Sequence, residues 1–261
     1  MARSDLLRHI QLLPNGVKSE ERPKSVILML GDGMGYSTIT LARYEKALRQ
    51  SKLAGDLNLN VDSFPFSGSI RTFSADNIVT DSAASATAYL TGCKANNGCV
   101  GVDPNVTRDP DSYDPRYNAP DSIHSLAKSA GFLTGLVTNQ PITHASPAPL
   151  YAHTHSREFE YSKDSDPLIN KHGVNCMDIA SQFVNKSHLF DLVIGGGRGH
   201  FLPTRLDKEG LRGDNRNLLQ EWLDKCAIRN ESCALYESPT ELLAQREQVF
   251  KKERILGIPC I

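Results

Sequence analysis

Three short stretches carry side chains that together suit chemistry on phosphorus. In Thr80–Thr91, Ser82 follows Asp81 and opens a run of small helix-forming residues, Ala-Ala-Ser-Ala-Thr-Ala. A serine so placed stands at a helix N-terminus, where unpaired backbone N–H groups and the positive dipole end attract an anion. That suits a serine that attacks phosphorus and then carries the phosphoryl group. The same residues also suit a plain N-cap, because Ser and Asp both favour that position. In Ser25–Ser37, the apolar β-prone run Val26–Leu30 stops at Gly31-Asp-Gly-Met-Gly35. A carboxylate at the C-terminal end of a buried strand lies where α/β sheets bind ligands, and flanking glycines let the backbone approach a metal or phosphate. Asp32 reads equally as a turn residue. In Thr143–Arg157, an imidazole (His144), a hydroxyl (Ser146) and a guanidinium (Arg157) follow the strand-like run Phe132–Val137. Ser146 precedes Pro147, which is also an ordinary way to start a turn.

These residues need a scaffold, and the pattern supplies an alternation of strands and helices. Strands are predicted over Val26–Leu30, Phe66–Phe73, Phe132–Val137 and Phe190–Ile194. Helices are predicted over Ser37–Gln50 with Ser37 as its cap, after Ser82, and over Ser122–Ala130, Met177–Val184, Asn217–Lys225 and Thr240–Phe250. Residues 94–120, rich in Asn, Asp and Pro, read as a surface excursion. The expected fold is α/β, with a mostly parallel central sheet flanked by helices on both faces.

A chain of 261 residues can bury a sizeable core. A net charge of −1 creates no field to recruit nucleic acid or an anionic membrane, so neither is an expected partner. No apolar run approaches the ~20 residues that span a bilayer. The N-terminal residues lack the apolar region of a signal peptide, and the C-terminus lacks an anchor-signal tail. The six cysteines form no close C-x-x-C pair, so a structural zinc site is not expected. Cys226 and Cys233 could close a small loop, or remain buried thiols. Asn-x-Ser/Thr sequons, the acceptor pattern of a glycoprotein, occur at Asn105, Asn185 and Asn230, a number that chance also supplies in a chain of this length.

The motifs resemble, in order and near-spacing, the N-terminal half of an animal-type alkaline phosphatase. They are Leu30–Gly35, Asp81–Leu90, His144–Ala148, Tyr151–Thr154 with Arg157, and Val193–Arg198. The resemblance covers roughly residues 20–257, with an arm at 1–20, and the C-terminal half of the family domain is missing. It implies a phosphomonoesterase working through a phosphoserine, with Ser82 as nucleophile and Arg157 as clamp on two phosphate oxygens. It implies two zinc ions and one magnesium ion. Asp32 would bridge one zinc and the magnesium, and Ser146 would ligate the magnesium. His144 would hydrogen-bond a metal-bound water, and Asp81 would orient Arg157. The other metal ligands belong to the missing half, so this chain is expected to be inactive alone. The full-length form is expected to be an extracellular or cell-surface homodimer acting on phosphate monoesters. The resemblance also pairs a cysteine at the position of Cys176 with one in the preceding excursion, where Cys99 is the nearest candidate.

His153 reads as structural, and His155, His124 and His200 read as solvent-facing. Gly195–Gly197 reads as a structural turn. A sulfatase is disfavoured because Ala83-Ala-Ser-Ala86 after Ser82 lacks the Pro and Arg of the cofactor-forming motif. The alternative to an enzyme is a non-catalytic truncated relative that keeps a half-site for phosphate and magnesium.

Overall fold

The computed structural model describes residues 23–53, 55, 57–64, 66–114, 118–164, 168–171, 173, 175–245 and 253–259. The chain divides into two compact units, Met1–Pro65 and Phe66–Ile261. The expected N-terminal arm lies outside the described residues, as does the C-terminal end of the helix predicted over Thr240–Phe250.

In the first unit, helix α1 spans Tyr36–Arg49. Its N-cap is Gly35, which offers no side-chain bond, so Ser37 is not the cap expected for it. Ahead of it, Asp32 and Gly33 form the corner of a turn closed by Met34 N–H donating to the Gly31 carbonyl at 3.1 Å. Gly33 has φ +67°, which a side chain would resist, so glycine is required at this corner. The expected strand Val26–Leu30 does not form. These residues are exposed, Met29 by 86%, and carry no regular secondary structure. An apolar run becomes a strand only when another strand satisfies its backbone, and no described residue pairs with this one.

The second unit is built on a four-stranded sheet in which every pairing is parallel. Its strands are β1 (Gly135–Pro141), β4 (Leu192–Gly196), β5 (Cys233–Tyr236) and β6 (Arg254–Gly257), in the order β1-β4-β6-β5. β2 (Leu168–Ile169) and β3 (Asn175–Cys176) form a separate antiparallel pair. Phe66–Phe73 was expected to be a strand and is not one. It is exposed, Ile70 by 85%, again without a partner among the described residues. β1 and β4 approach closely at Gly195, where an added Cβ would lie 2.6 Å from Thr138 Cγ2 and 2.5 Å from Ile142 Cγ2. The start of the glycine run is thus a packing requirement.

The helices begin where their caps predict. α2 (Ser82–Thr91) follows Asp81, and α3 (Ile123–Ser129) follows Ser122. α4 (Ile179–Asn185) follows Asp178, and α5 (Leu218–Ile228) follows Asn217. α6 (Pro239–Ala244) follows Ser238. In each case the side chain accepts a bond from an N–H in the first turn. One core joins α4 and α5 to the sheet through Phe183, Phe190, Val193, Phe201, Leu218, Trp222 and Leu256. Tyr151 is buried within it, edge-on to Phe183, and its hydroxyl donates to the Ile142 carbonyl at 2.7 Å. That bond satisfies the one polar atom of the ring and fixes the segment that follows β1.

Cys226 and Cys233 form a disulfide, tying the end of α5 to the start of β5. Cys99 and Cys176 are both buried in a second, smaller cluster, but the expected disulfide does not join them. Closing a loop of seven positions stabilises a fold by about 2–3 kcal/mol through the unfolded chain. Replacing both Cys226 and Cys233 by Ala is expected to lower unfolding free energy by about 2 kcal/mol in urea. An unchanged urea midpoint would show that the bridge constrains nothing that unfolding releases.

Candidate active site

Ser82 is the first residue of α2, and Asp81, not Ser82, is the cap. One carboxylate oxygen of Asp81 accepts the Ala84 N–H at 3.0 Å, and the other accepts Arg157 Nη1 at 3.0 Å. A single side chain thereby starts the helix and holds the guanidinium. Small residues let α2 sit close to its surroundings. Ala83, Ala84 and Ala86 are buried, and Thr87 accepts the Gly101 N–H at 2.9 Å. Asn97 fixes the approach to the cap by accepting the Asp81 N–H at 3.2 Å.

Arg157 is held at both ends. Its N–H donates to the Gly98 carbonyl at 2.7 Å, and Nη2 lies 3.3 Å from His144 Nε2. A guanidinium always donates, so His144 accepts there through Nε2. The other ring nitrogen, Nδ1, then carries the ring hydrogen, so its 3.4 Å approach to the Ser146 nitrogen is a packing contact and not a second accepted bond. Ser82, Asp81, His144, Ser146 and Arg157 are all partly buried. His144 and Ser146 follow the C-terminal end of β1, the end at which open α/β sheets bind ligands. The structure therefore joins Asp81, Arg157 and His144 by direct contacts, with Ser82 next to the first and Ser146 against the third. Asp32 lies on the Gly31–Met34 turn of the other unit.

Burial alone would raise the Asp81 pKa. The Ala84 and Gly98 N–H groups and the Arg157 guanidinium outweigh it and hold the carboxyl below the ordinary 3.8. A cavity of about 520 Å³ is lined by Asp81 with Asp76, Asn77, Asn96, Asn97, Gly98, Thr107 and Arg108.

Three histidines depart from expectation. His155 is 7% exposed, tilted against Phe159 at 6.1 Å. His124 is buried against Phe190 at 4.3 Å, and burial pushes its pKa down to about 4. His200 is partly buried and contacts Thr143 and Glu160. Residue type signals exposure for histidine, but an imidazole also packs as a flat ring. His153 is structural, as expected, bonded through Nδ1 to the Gly101 carbonyl.

The donor set does not fit a zinc ion within the second unit. Asp81 is committed to Ala84 and Arg157, and His144 to Arg157. Ser146 adds one hydroxyl, whereas zinc requires three or four nitrogen, sulfur or carboxylate donors. The one grouping of three ligand-type side chains among the described residues is Cys226, Glu231 and Cys233, and there the disulfide occupies both sulfurs.

The sequence pattern of the family described as alkaline phosphatase matches residues 23–258. The chain belongs to the alkaline phosphatase family. It is 39% identical over 210 residues to the tissue-nonspecific alkaline phosphatase of Gallus gallus, covering 77% of this chain and 40% of that protein. It is 39% identical over 207 residues to the membrane-bound alkaline phosphatase of Bombyx mori, covering 76% of this chain and 37% of that one. Among solved structures, alkaline phosphatase from the Antarctic bacterium TAB5 superposes with a TM-score of 0.60 at 26% identity. It covers 87% of this chain and 50% of that one. The chain thus spans about 40% of the length of the curated relatives it matches.

Because the folded Asp81 pKa is depressed, its contribution to stability is present above the unfolded carboxylate pKa. It is lost as pH falls through the folded value, below 3.8. Arg157→Ala is expected to raise the Asp81 midpoint, read by carboxyl NMR titration. An unchanged midpoint would mean that the Ala84 and Gly98 N–H groups hold the charge without the guanidinium.

Proposed function

We propose that this alkaline phosphatase chain carries the nucleophile and the phosphate clamp of a phosphomonoesterase, with Ser82 and Arg157 in those roles. The observation that carries this reading is the Asp81–Arg157–His144 run of contacts beside Ser82 at the N-terminus of α2. A guanidinium held by a carboxylate on one side presents its remaining N–H groups in a planar fork. That fork matches two oxygens of a phosphate. The first N–H groups of α2 add positive potential for the same anion.

In the reaction so assigned, Ser82 Oγ forms a bond to phosphorus as the bond from phosphorus to the ester oxygen breaks. The Ser82 hydroxyl gives up its proton and the departing alkoxide takes one, so an alcohol leaves. Water then attacks the phosphoserine, the P–Oγ bond breaks, a proton from the water returns to Oγ, and inorganic phosphate leaves. Arg157 serves both steps by compensating charge on the equatorial oxygens. A serine hydroxyl needs activation, which a bound metal supplies in this class of chemistry by lowering the hydroxyl pKa. The resemblance assigns Asp32 and Ser146 to a magnesium ion, which prefers hard oxygen donors of their kind, and His144 to a bound water. The two zinc ions implied by the resemblance need further donors, and a homodimer belongs to the same reading.

An extracytoplasmic setting is supported by the Cys226–Cys233 disulfide and by exposed asparagines at all three sequons, Asn105, Asn185 and Asn230. It is also in keeping with the membrane-bound relative. No helix among the described residues is long and apolar enough to cross a membrane.

Residues 1–261 alone, given zinc and magnesium, are expected to hydrolyse no chromogenic phosphate ester at alkaline pH, because the zinc donors are too few. Turnover that survives purification and vanishes in Ser82→Ala would overturn the donor argument and leave the nucleophile assignment intact. In a protein extended to the length of its relatives, Ser82→Ala should cut turnover by about 10⁴-fold or more. Arg157→Ala should weaken inorganic phosphate binding by roughly 10–100-fold, the loss of a charge-assisted pair. Retained turnover in the serine variant, with no phosphoserine trapped at low pH, would exclude the covalent route.

A further inference from the structure

Thr143 and His200 stand just beyond the C-terminal ends of neighbouring parallel strands, β1 and β4, whose last paired residues are Pro141 and Gly196. Thr143 is fully buried, and its Oγ1 donates to Glu160 Oε2 at 2.5 Å. A hydroxyl has one hydrogen. The 2.6 Å contact between Thr143 Oγ1 and His200 Nδ1 is therefore made by the ring N–H donating to the oxygen. The same nitrogen lies 3.2 Å from Glu160 Oε2, closing a triangle of three polar atoms. Tyr161 stacks on the His200 ring at 4.8 Å.

The triangle is anchored from behind. The His200 carbonyl accepts Arg212 Nη1 at 3.1 Å. The Arg212 side chain is wholly buried and is also bound to Asp178, the cap of α4, at 3.0 Å. The N–H groups of Ile179 and Ala180, at the start of α4, donate to the carbonyls of Phe159 and Glu160, each at 3.0 Å. The Glu160 backbone is thus fixed by α4 and its side chain by Thr143 and His200. Burial alone would raise the Glu160 pKa, but His200 and Thr143 hold the carboxyl below its ordinary range.

Two contacts cross-link the same two chain segments. Thr143 holds Glu160, and the next residue, His144, meets Arg157 three positions before Glu160. The second contact, at 3.3 Å, is long for a charge-assisted bond, so it adds restraint to the Asp81–Arg157 pair only if the His144 ring is itself held in place. We propose that Glu160, Thr143 and His200 form a positioning cluster that sets the His144–Arg157 geometry, and through it the phosphate clamp. The last step rests on the reading of Arg157 as that clamp.

The test removes the central hydroxyl at nearly constant volume, Thr143→Val, and restores it with Thr143→Ser. Two signals are read in the full chain: the side-chain N–H resonance of Arg157 by NMR, and the affinity for inorganic phosphate by calorimetry. In Thr143→Val the Arg157 resonance is expected to shift or broaden and the phosphate Kd to rise about tenfold. In Thr143→Ser both return to the parent values. An unchanged Arg157 resonance and Kd in Thr143→Val, with only the thermal midpoint lowered, would show that the cluster merely stabilises the fold. If the parent binds no phosphate but its Arg157 resonance moves with Val and recovers with Ser, the positioning role stands and the clamp reading fails. Should Thr143→Val not fold, Glu160→Gln preserves the acceptor for Thr143 and removes the charge facing His200. It should move the same resonance in the same direction by less, and an unmoved resonance would overturn the proposal.

Discussion

The sheet of the second unit depends on one short strand. β6 lies between β4 and β5 and supplies the parallel partner for both, so β5 has a place in the sheet only through it. Parallel partners cannot be joined by a tight turn, and every pairing here is closed by a long excursion of chain. The register of β6 is fixed by its first residue as well as by the apolar Ile255 and Leu256. Arg254 binds Glu231 at 2.6 and 2.7 Å and donates to the Phe190 carbonyl at 2.6 Å. Hydrogen bonds from Arg254, and then from Arg229, outweigh burial and draw the Glu231 pKa down to about 2. This cluster sits beside the disulfide, so a covalent link and an ionic one secure the same corner.

That dependence explains why some of the fold was legible in the sequence and some was not. Helix starts were legible because a cap is local. Ser122, Asn217 and the Asp81-Ser82 pair each announce a helix within four residues, and the structure starts one there. Strands are not local. Val26–Leu30 and Phe66–Phe73 have the composition of buried strands, yet composition describes a face to be covered and not the neighbour that must bind the backbone. β5 and β6 escaped the sequence reading for the opposite reason. Each has four residues, and β6 opens on an arginine, too short and too mixed a pattern to stand out.

The candidate site divides in the same way. Ser82, His144, Ser146 and Arg157 were legible as motif residues. Glu160, Thr143 and His200 were not, because their contacts join positions 17 to 57 residues apart and no spacing rule links them. Only the sheet brings them together, by ending β1 and β4 side by side. Sequence shows which residues can do chemistry; topology decides which others hold them in place.

The geometry around Asp81 also constrains any metal site. A carboxylate that caps a helix, accepts from Ala84 and pairs with Arg157 has its charge already compensated. Turning it toward a metal ion would cost the cap and release the guanidinium, each worth about 1 kcal/mol or more. His144 is similarly engaged, since its one accepting ring nitrogen is taken by Arg157. A metal ion beside Ser82 therefore requires donors other than these two. The local network instead favours an anion, since the start of α2 and the guanidinium both present N–H groups with positive potential. Positive potential for an anion is accordingly what the second unit builds from its own residues.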